Sequence, residues 1–281
     1  MQTTYLHGSG GVRLAADIRG EPDAPAVILL HGGGQTRFSW GLAAERLGRM
    51  GYRTISLDLR GHGESDWALD GDYSIGAFAA DVVAVAATLA HPPAIIGASL
   101  GGVSSLVATG ESATPIARAL VLVDVVPKMQ PEGIKRIRDF MSSRPDGFAN
   151  VEEVADAVAR YLPNRRRPAA ADGLKRNLRT GDDGRLYWHW DPAFQQGDRA
   201  GKMATMLDRM ERAARQVHIP TLLVRGKDSE VVLSDGVQHL RALMPHALAV
   251  DVEGAGHMVA GDKNDAFNAA IEKFLLSTDR G

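Results

Sequence analysis

The 281-residue sequence predicts an α/β fold in which a largely parallel sheet carries helices on both faces. Two observations predict it. Short apolar runs recur at Ala26–Leu30, Arg53–Leu57, Ala94–Ile96, Ala119–Val123, Thr221–Val224 and Leu248–Val252, several of them apolar on consecutive residues. Strands covered on both sides have that character. Between the runs lie glycine-rich turns and helical patterns at about Gly41–Met50, Ile75–Leu89, Leu100–Thr109, Gly236–Met244 and Asp265–Leu276. The stretch up to Arg19 reads as a hairpin turning at Gly8-Ser9-Gly10-Gly11.

One segment breaks this rhythm. From Pro127 to about Val217 no buried strand is apparent, only helix-like stretches such as Pro131–Met141 and Val151–Tyr161. It reads as a helical cap inserted between two sheet strands. The chain then divides into a core of residues 1–126 and 218–281 and a cap of residues 127–217. Within the cap, the knot Tyr187-Trp188-His189-Trp190 suits either internal packing or a pocket wall. Arg165-Arg166-Arg167, flanked by prolines, reads as a solvated turn rather than a phosphate site.

Bulk composition excludes several functions. A net charge of −2 makes neither nucleic acid nor a membrane surface the expected partner; a small-molecule substrate is expected instead. With no cysteine in the chain, disulfides, thiolate nucleophiles and cysteine-ligated metals are ruled out. The opening residues lack the apolar core of a signal peptide, and no apolar run approaches the roughly 20 residues that span a bilayer. A cytoplasmic protein is therefore expected, although a mature secreted chain would read the same. Oligomeric state is not legible in the sequence.

Three motifs carry chemistry. Gly97-Ala98-Ser99-Leu100-Gly101 matches G-x-S-x-G, with a strand pattern before it and a helix pattern after it. A sharp turn there would project the Ser99 hydroxyl outward, and neighbours two residues away on either side must lack bulk. The same turn places the Leu100 N–H at a helix N-terminus, where it can face developing negative charge. His31-Gly32-Gly33-Gly34 follows the first of the parallel-type strands. It lacks the companions of a phosphate-binding loop, but it can supply a second backbone N–H to an oxyanion, from Gly33 or alternatively Gly34. His257, in "VEGAGHMVAG", directly follows the last strand pattern, in the chain order serine, acid, histidine. Its imidazole can take the serine proton and return it to a leaving group. His31 and His62 read as loop-shaping residues.

These motifs, with Asp58-Leu59-Arg60-Gly61-His62-Gly63-Glu64-Ser65 and Gly254-Ala255-Gly256-His257, resemble the α/β-hydrolase superfamily over nearly the whole chain. The resemblance implies an eight-stranded, mostly parallel sheet, a Ser–His–acid triad, no cofactor and no metal. Esterases, lactonases, carbon–carbon bond hydrolases and cofactor-free haloperoxidases share the motifs. Members with an aspartate nucleophile do not match, because Ser99 stands at that position.

The acid is the open choice. In many relatives it comes three residues after the glycine ending the strand, and here that position is Ser229. Glu230, one residue later, is the expected acid. Asp124, closing "ALVLVD" after the preceding strand, and Asp228, one residue early, are the alternatives. The leading expectation is a serine hydrolase in which Ser99 attacks a carbonyl, the Gly33 and Leu100 amides hold the oxyanion and His257 shuttles the proton. Gly34, Phe38, Trp40, Trp188, Trp190 and Met258 are the candidate pocket residues. They suggest a small-to-medium, largely apolar ester or lactone. Carbon–carbon bond hydrolysis and perhydrolysis are alternatives at the same site; a ligand receptor or a cofactor-free oxygenase on the same scaffold is a more distant one.

Overall fold

A computed structural model describes residues 3–162, 171–196, 199–259 and 264–279, without the side chains of 171, 172, 199–202 and 264. The Arg165-Arg166-Arg167 cluster lies outside the described residues. Strands β1 (Thr4–His7) and β2 (Arg13–Arg19) form the expected N-terminal hairpin. They are followed by β3 (Ala26–Leu30), β4 (Arg53–Leu57), β5 (Ala94–Ala98) and β6 (Ala119–Val123). After the cap come β9 (Thr221–Gly226) and β10 (Leu248–Val252).

These eight strands make one sheet in the order β1-β2-β4-β3-β5-β6-β9-β10. Only the pairings of β1 with β2 and of β2 with β4 are antiparallel. The rest are parallel. Register aligns the strand ends that matter: Leu30 sits opposite Gly97, Ala98 opposite Val123, and Val123 opposite Val224. The loops after β3, β5, β6 and β9 therefore emerge side by side. The chain also reverses its direction of travel across the sheet between β3 and β5, which opens a crevice at the carboxyl ends of these strands.

Alternation along each strand divides the core in two. Val27 and Leu29 join Ile96, Val121, Val224, Phe267 and Phe274 on the face covered by α1 (Gly41–Arg49) and α9 (Asn264–Thr278). Ile28 and Leu30 join Ile95, Leu120, Phe78, Val82 and Leu106 on the opposite face. That face is covered by α2 (Ile75–Ala86), α3 (Leu100–Glu111), α7 (Arg199–Gln216) and α8 (Ser234–Leu243). Met210, Ala213 and Ala214 of α7 lie in this second core, and a side chain on Gly110 of α3 would meet the Ala213 carbonyl at 2.3 Å. The last helix of the inserted segment, expected within the cap, thus packs against the core.

The cap itself holds α4 (Pro131–Met141), α5 (Val151–Tyr161) and α6 (Ala171–Lys175). Proline occupies the first position of α4, and Asn150 caps α5 by accepting from the Glu153 N–H at 3.0 Å. The cap also contains an antiparallel pair that the sequence reading did not anticipate, β7 (Leu178–Thr180) and β8 (Leu186–Trp188). Three residues per strand are too few for an alternation signal. Phe148, fully buried, bridges to Leu186 and packs edge-on against Trp188. No helix among the described residues is long and apolar enough to cross a membrane.

Three bonds seat the cap on the core. The Asp191 N–H donates to the Gly61 carbonyl at 2.9 Å, the Tyr73 hydroxyl donates to Asp191 Oδ2 at 2.5 Å, and the Gly63 N–H donates to His189 Nδ1 at 2.7 Å. The loop that receives them is braced from below by a buried, two-pronged ion pair: Arg60 Nε meets Asp81 Oδ2 at 2.6 Å and Nη2 meets Oδ1 at 2.7 Å. Burial makes the pair asymmetric to mutation. Asp81→Ala is expected to destabilise the fold by about 3–5 kcal/mol, because it strands the guanidinium in the interior. Urea unfolding of the two proteins measures this difference directly.

Candidate active site

Ser99 occupies the turn between β5 and α3 with φ 45° and ψ −111°. The flanking glycines permit it. A Cβ on Gly97 would stand 2.4 Å from the Gly101 carbonyl oxygen, and one on Gly101 would stand 2.4 Å from that of Leu30. The turn is pinned to its neighbours: the Ser99 N–H donates to Val123 O and the Gly101 N–H to His31 O, each at 3.1 Å.

Asp124 follows β6 and also has a left-handed backbone, with φ 49°. Ser99 and Asp124 are the only non-glycine residues at positive φ among those described. Such strain concentrates where surrounding structure holds a side chain in a required place. The Asp124 side chain is fully buried and saturated with donors. Its Oδ1 accepts from the Gly226 N–H at 3.1 Å, and its Oδ2 accepts from Ser229 Oγ at 2.5 Å and from His257 Nδ1 at 2.7 Å. A carboxylate oxygen accepts, so the His257 ring donates from Nδ1 in this bond.

The expectation that Glu230 meets His257 is corrected by this geometry. Glu230 is exposed, and its carboxylate faces Arg136 on α4 at 3.4 Å. Asp228 is exposed as well. Of Lys227, Asp228, Ser229 and Glu230 only Ser229 is buried, and its oxygen also accepts from the N–H groups of Val231 and Val232 at 3.1 and 3.2 Å. Three residues after the glycine that ends β9, a hydroxyl thus reaches the carboxylate that follows the neighbouring strand β6.

The glycine loop closes on itself through Gln35, whose Oε1 accepts from the Gly32 N–H at 3.0 Å and whose Nε2 reaches Met258 Sδ at 3.3 Å. The Gly33 N–H is bonded to no described residue. A Cβ at Gly33 would meet nothing nearer than 3.8 Å, whereas Gly34, at φ 75°, is hemmed in by Met141 and Trp190 at 3.1 and 3.2 Å. Leu100 is the first residue of α3, so its N–H belongs to the turn that has no helical acceptor.

A cavity of about 440 Å³ opens between the core and the inserted segment. Ser99, His257 and Gly33 line it, as do all six candidate pocket residues: Gly34, Phe38, Trp40, Trp188, Trp190 and Met258. The aromatic knot does both jobs proposed for it. Trp188 and Trp190 stack at 5.1 Å within the cap core while also walling the cavity, and His189 holds the core loop. Cap residues that sequence reasoning missed include Ile137, Met141, Val158 and Leu162. Their signal was present as apolar pairs four residues apart on α4 and at the end of α5, but which way those faces turn depends on docking. No group of three or more potential metal ligands occurs among the described residues.

Behind the glycine loop three buried histidines lie in a row, His31 to His62 at 5.2 Å and His62 to His189 at 5.8 Å. His31 and His189 each accept a backbone N–H on one nitrogen, from Leu59 at 3.0 Å and from Gly63 at 2.7 Å. Burial holds all three neutral, with pKa values pushed down to about 3. The linkage sign follows. In the unfolded chain these rings protonate near 6.5, so the stability from burying them neutral is complete above that pH and is lost as pH falls toward 3. Each ring is expected to contribute a slope of about 1.4 kcal/mol per pH unit within that window. Urea midpoints falling steeply between pH 6.5 and 4.5 are the expected result, and a flat profile would contradict neutral burial.

The comparisons with known proteins agree with this architecture. The α/β hydrolase family model matches residues 27–270. An esterase of Mycobacterium tuberculosis, Rv0045c, is 30% identical over 264 residues, covering 90% of this chain and 83% of its own. A 3-hydroxybutyrate-oligomer hydrolase of Cupriavidus necator is 28% identical over 259 residues, with 87% of each chain covered. The crystal structure of E-2-(acetamidomethylene)succinate hydrolase superposes with a TM-score of 0.84 at 24% identity, over 98% of both chains. The chain belongs to the α/β hydrolase family. It is a hydrolytic enzyme of the esterase-like kind.

Proposed function

We propose that the enzyme cleaves a small-to-medium, largely apolar carboxylic ester or lactone through an acyl-enzyme on Ser99, with His257 and Asp124 completing the triad. The observation that carries this reading is the Asp124–His257 bond at 2.7 Å at the edge of a cavity that Ser99 also lines. Held by Asp124, the His257 ring keeps its Nε2 lone pair for the Ser99 hydroxyl proton. The serine oxygen attacks the carbonyl carbon, and the Gly33 and Leu100 amides receive the oxyanion, each such donor being worth roughly 10²–10³ in rate. Collapse breaks the ester C–O bond, and the leaving alkoxide takes the proton from His257. Water then repeats the sequence and releases the acid. The cavity volume and its aromatic and aliphatic walls support a compact apolar substrate.

The test is covalent. A fluorophosphonate is expected to add to Ser99, identified by peptide mass spectrometry, and to abolish release of 4-nitrophenol from a short ester. Labelling without turnover would favour a receptor, and turnover that survives full labelling would overturn the assignment.

A further inference from the structure

One end of the cavity carries charge that the triad does not use. Arg176, just past α6, lines the cavity with its guanidinium carbon 5.2 Å from the centre of the Phe38 ring. Arg37 also lies on Phe38, at 4.4 Å, but it is buried and committed to Asp17, Asp58 and Glu64. Arg176 has no such commitment: it is exposed and forms no ion pair with any described residue. Beside it, Asn177 also lines the cavity. Its backbone serves Leu174 and His189, while its side-chain amide is bonded to no described residue. No aspartate or glutamate lines this cavity among the described residues. The remaining walls are largely apolar, with Ile137, Phe140, Leu174 and Trp188 among them.

We infer that Arg176 and Asn177 form a carboxylate-binding subsite at the mouth of the cavity, and that the substrate is an amphipathic ester with a free carboxylate remote from the scissile bond. A planar guanidinium offers two parallel N–H donors to a carboxylate, and a neighbouring amide adds a third. Because Arg176 is exposed, the attraction is screened by salt, and the apolar walls serve to hold the rest of the ligand. Phe38 holds the guanidinium over its ring face through a cation–π contact. The inference rests on the hydrolase reading above and adds the substrate's charge to it.

The experiment compares mono-4-nitrophenyl adipate and suberate with their methyl-capped diesters, and 4-carboxyphenyl acetate with its methyl ester. The first comparison places the carboxylate on the acyl side and the second on the alcohol side. The readout is the ratio of kcat/KM for the acid over its capped partner, from which general damage to the enzyme cancels. On one side the ratio is expected to favour the acid by about tenfold or more, to shrink as salt is raised, and to collapse toward one or below in Arg176→Ala. Arg176→Lys should keep part of it, since the charge survives but the fork does not. Ratios near one on both sides in the native enzyme would overturn the inference while leaving the hydrolase intact. A ratio unchanged in Arg176→Ala would overturn it too. If no ester is cleaved and the fluorophosphonate leaves Ser99 unlabelled, the hydrolase reading itself has failed.

Discussion

Ser99→Ala is expected to lower kcat on a short 4-nitrophenyl ester by about 10⁶-fold, and His257→Ala by nearly as much. The double variant should be hardly worse than either single one, because the proton has nowhere to go without the base and nothing to leave without the nucleophile. The residual rate would come from the Gly33 and Leu100 amides, which these changes leave in place. Steady-state kinetics with enzyme titrated by folded fraction gives all three numbers. Stability should move in the opposite direction for a glycine at the same position. Ser99 is held at φ 45°, a region that costs an L residue roughly 1–3 kcal/mol and costs glycine little. Ser99→Gly should therefore be inactive yet more stable to urea by about 1 kcal/mol. An inactive variant that unfolds more readily would mean that the turn is not strained.

The second large effect separates the acids. Asp124→Asn is expected to reduce kcat/KM by about 10³–10⁴-fold, because an amide facing Nδ1 no longer demands the tautomer that leaves Nε2 free. Glu230→Gln should change it by no more than about twofold, since its partner is a half-exposed arginine on the cap. Ser229 supplies a finer contrast. Its hydroxyl sits 2.5 Å from the Asp124 oxygen that also meets His257. Moving the acid across that short gap, as Asp124→Asn with Ser229→Asp, should recover part of the activity lost in Asp124→Asn alone. Ser229→Asp by itself should be harmful, because two carboxylates would then share one buried site. A loss on Glu230→Gln comparable to that on Asp124→Asn would reverse the assignment.

Much of this was legible in the sequence because it is local. All six strands after the hairpin in the large sheet fall where the apolar runs place them, β3, β4, β6 and β10 in full and β5 and β9 from their first residue, and α4 and α5 match their expected bounds. Ser99 was identifiable because a strand, a tight turn and a helix must follow one another within a few residues, and only glycines can flank such a turn. His257 was identifiable from its position after the last strand. The small hairpin of β7 and β8 escaped because each strand is three residues long. The packing of α7 with the core escaped because an amphipathic pattern does not say which surface it covers.

The sequence by itself therefore determined the sheet and the candidate nucleophile and base, each through a pattern confined to one turn or one strand. Tertiary structure decided which carboxylate meets His257, which faces of the inserted segment turn inward and the placing of Arg176. Asp124 and Ser229 are 105 positions apart and touch only because β6 pairs with β9. In the turn after β9, the inward residue is set by a single step of backbone direction, which turns Ser229 to the interior and leaves Glu230 and Asp228 in solvent. Strand pairing and turn direction are properties of the packed chain, so a carboxylate's distance from His257 could not be read from its distance along the sequence.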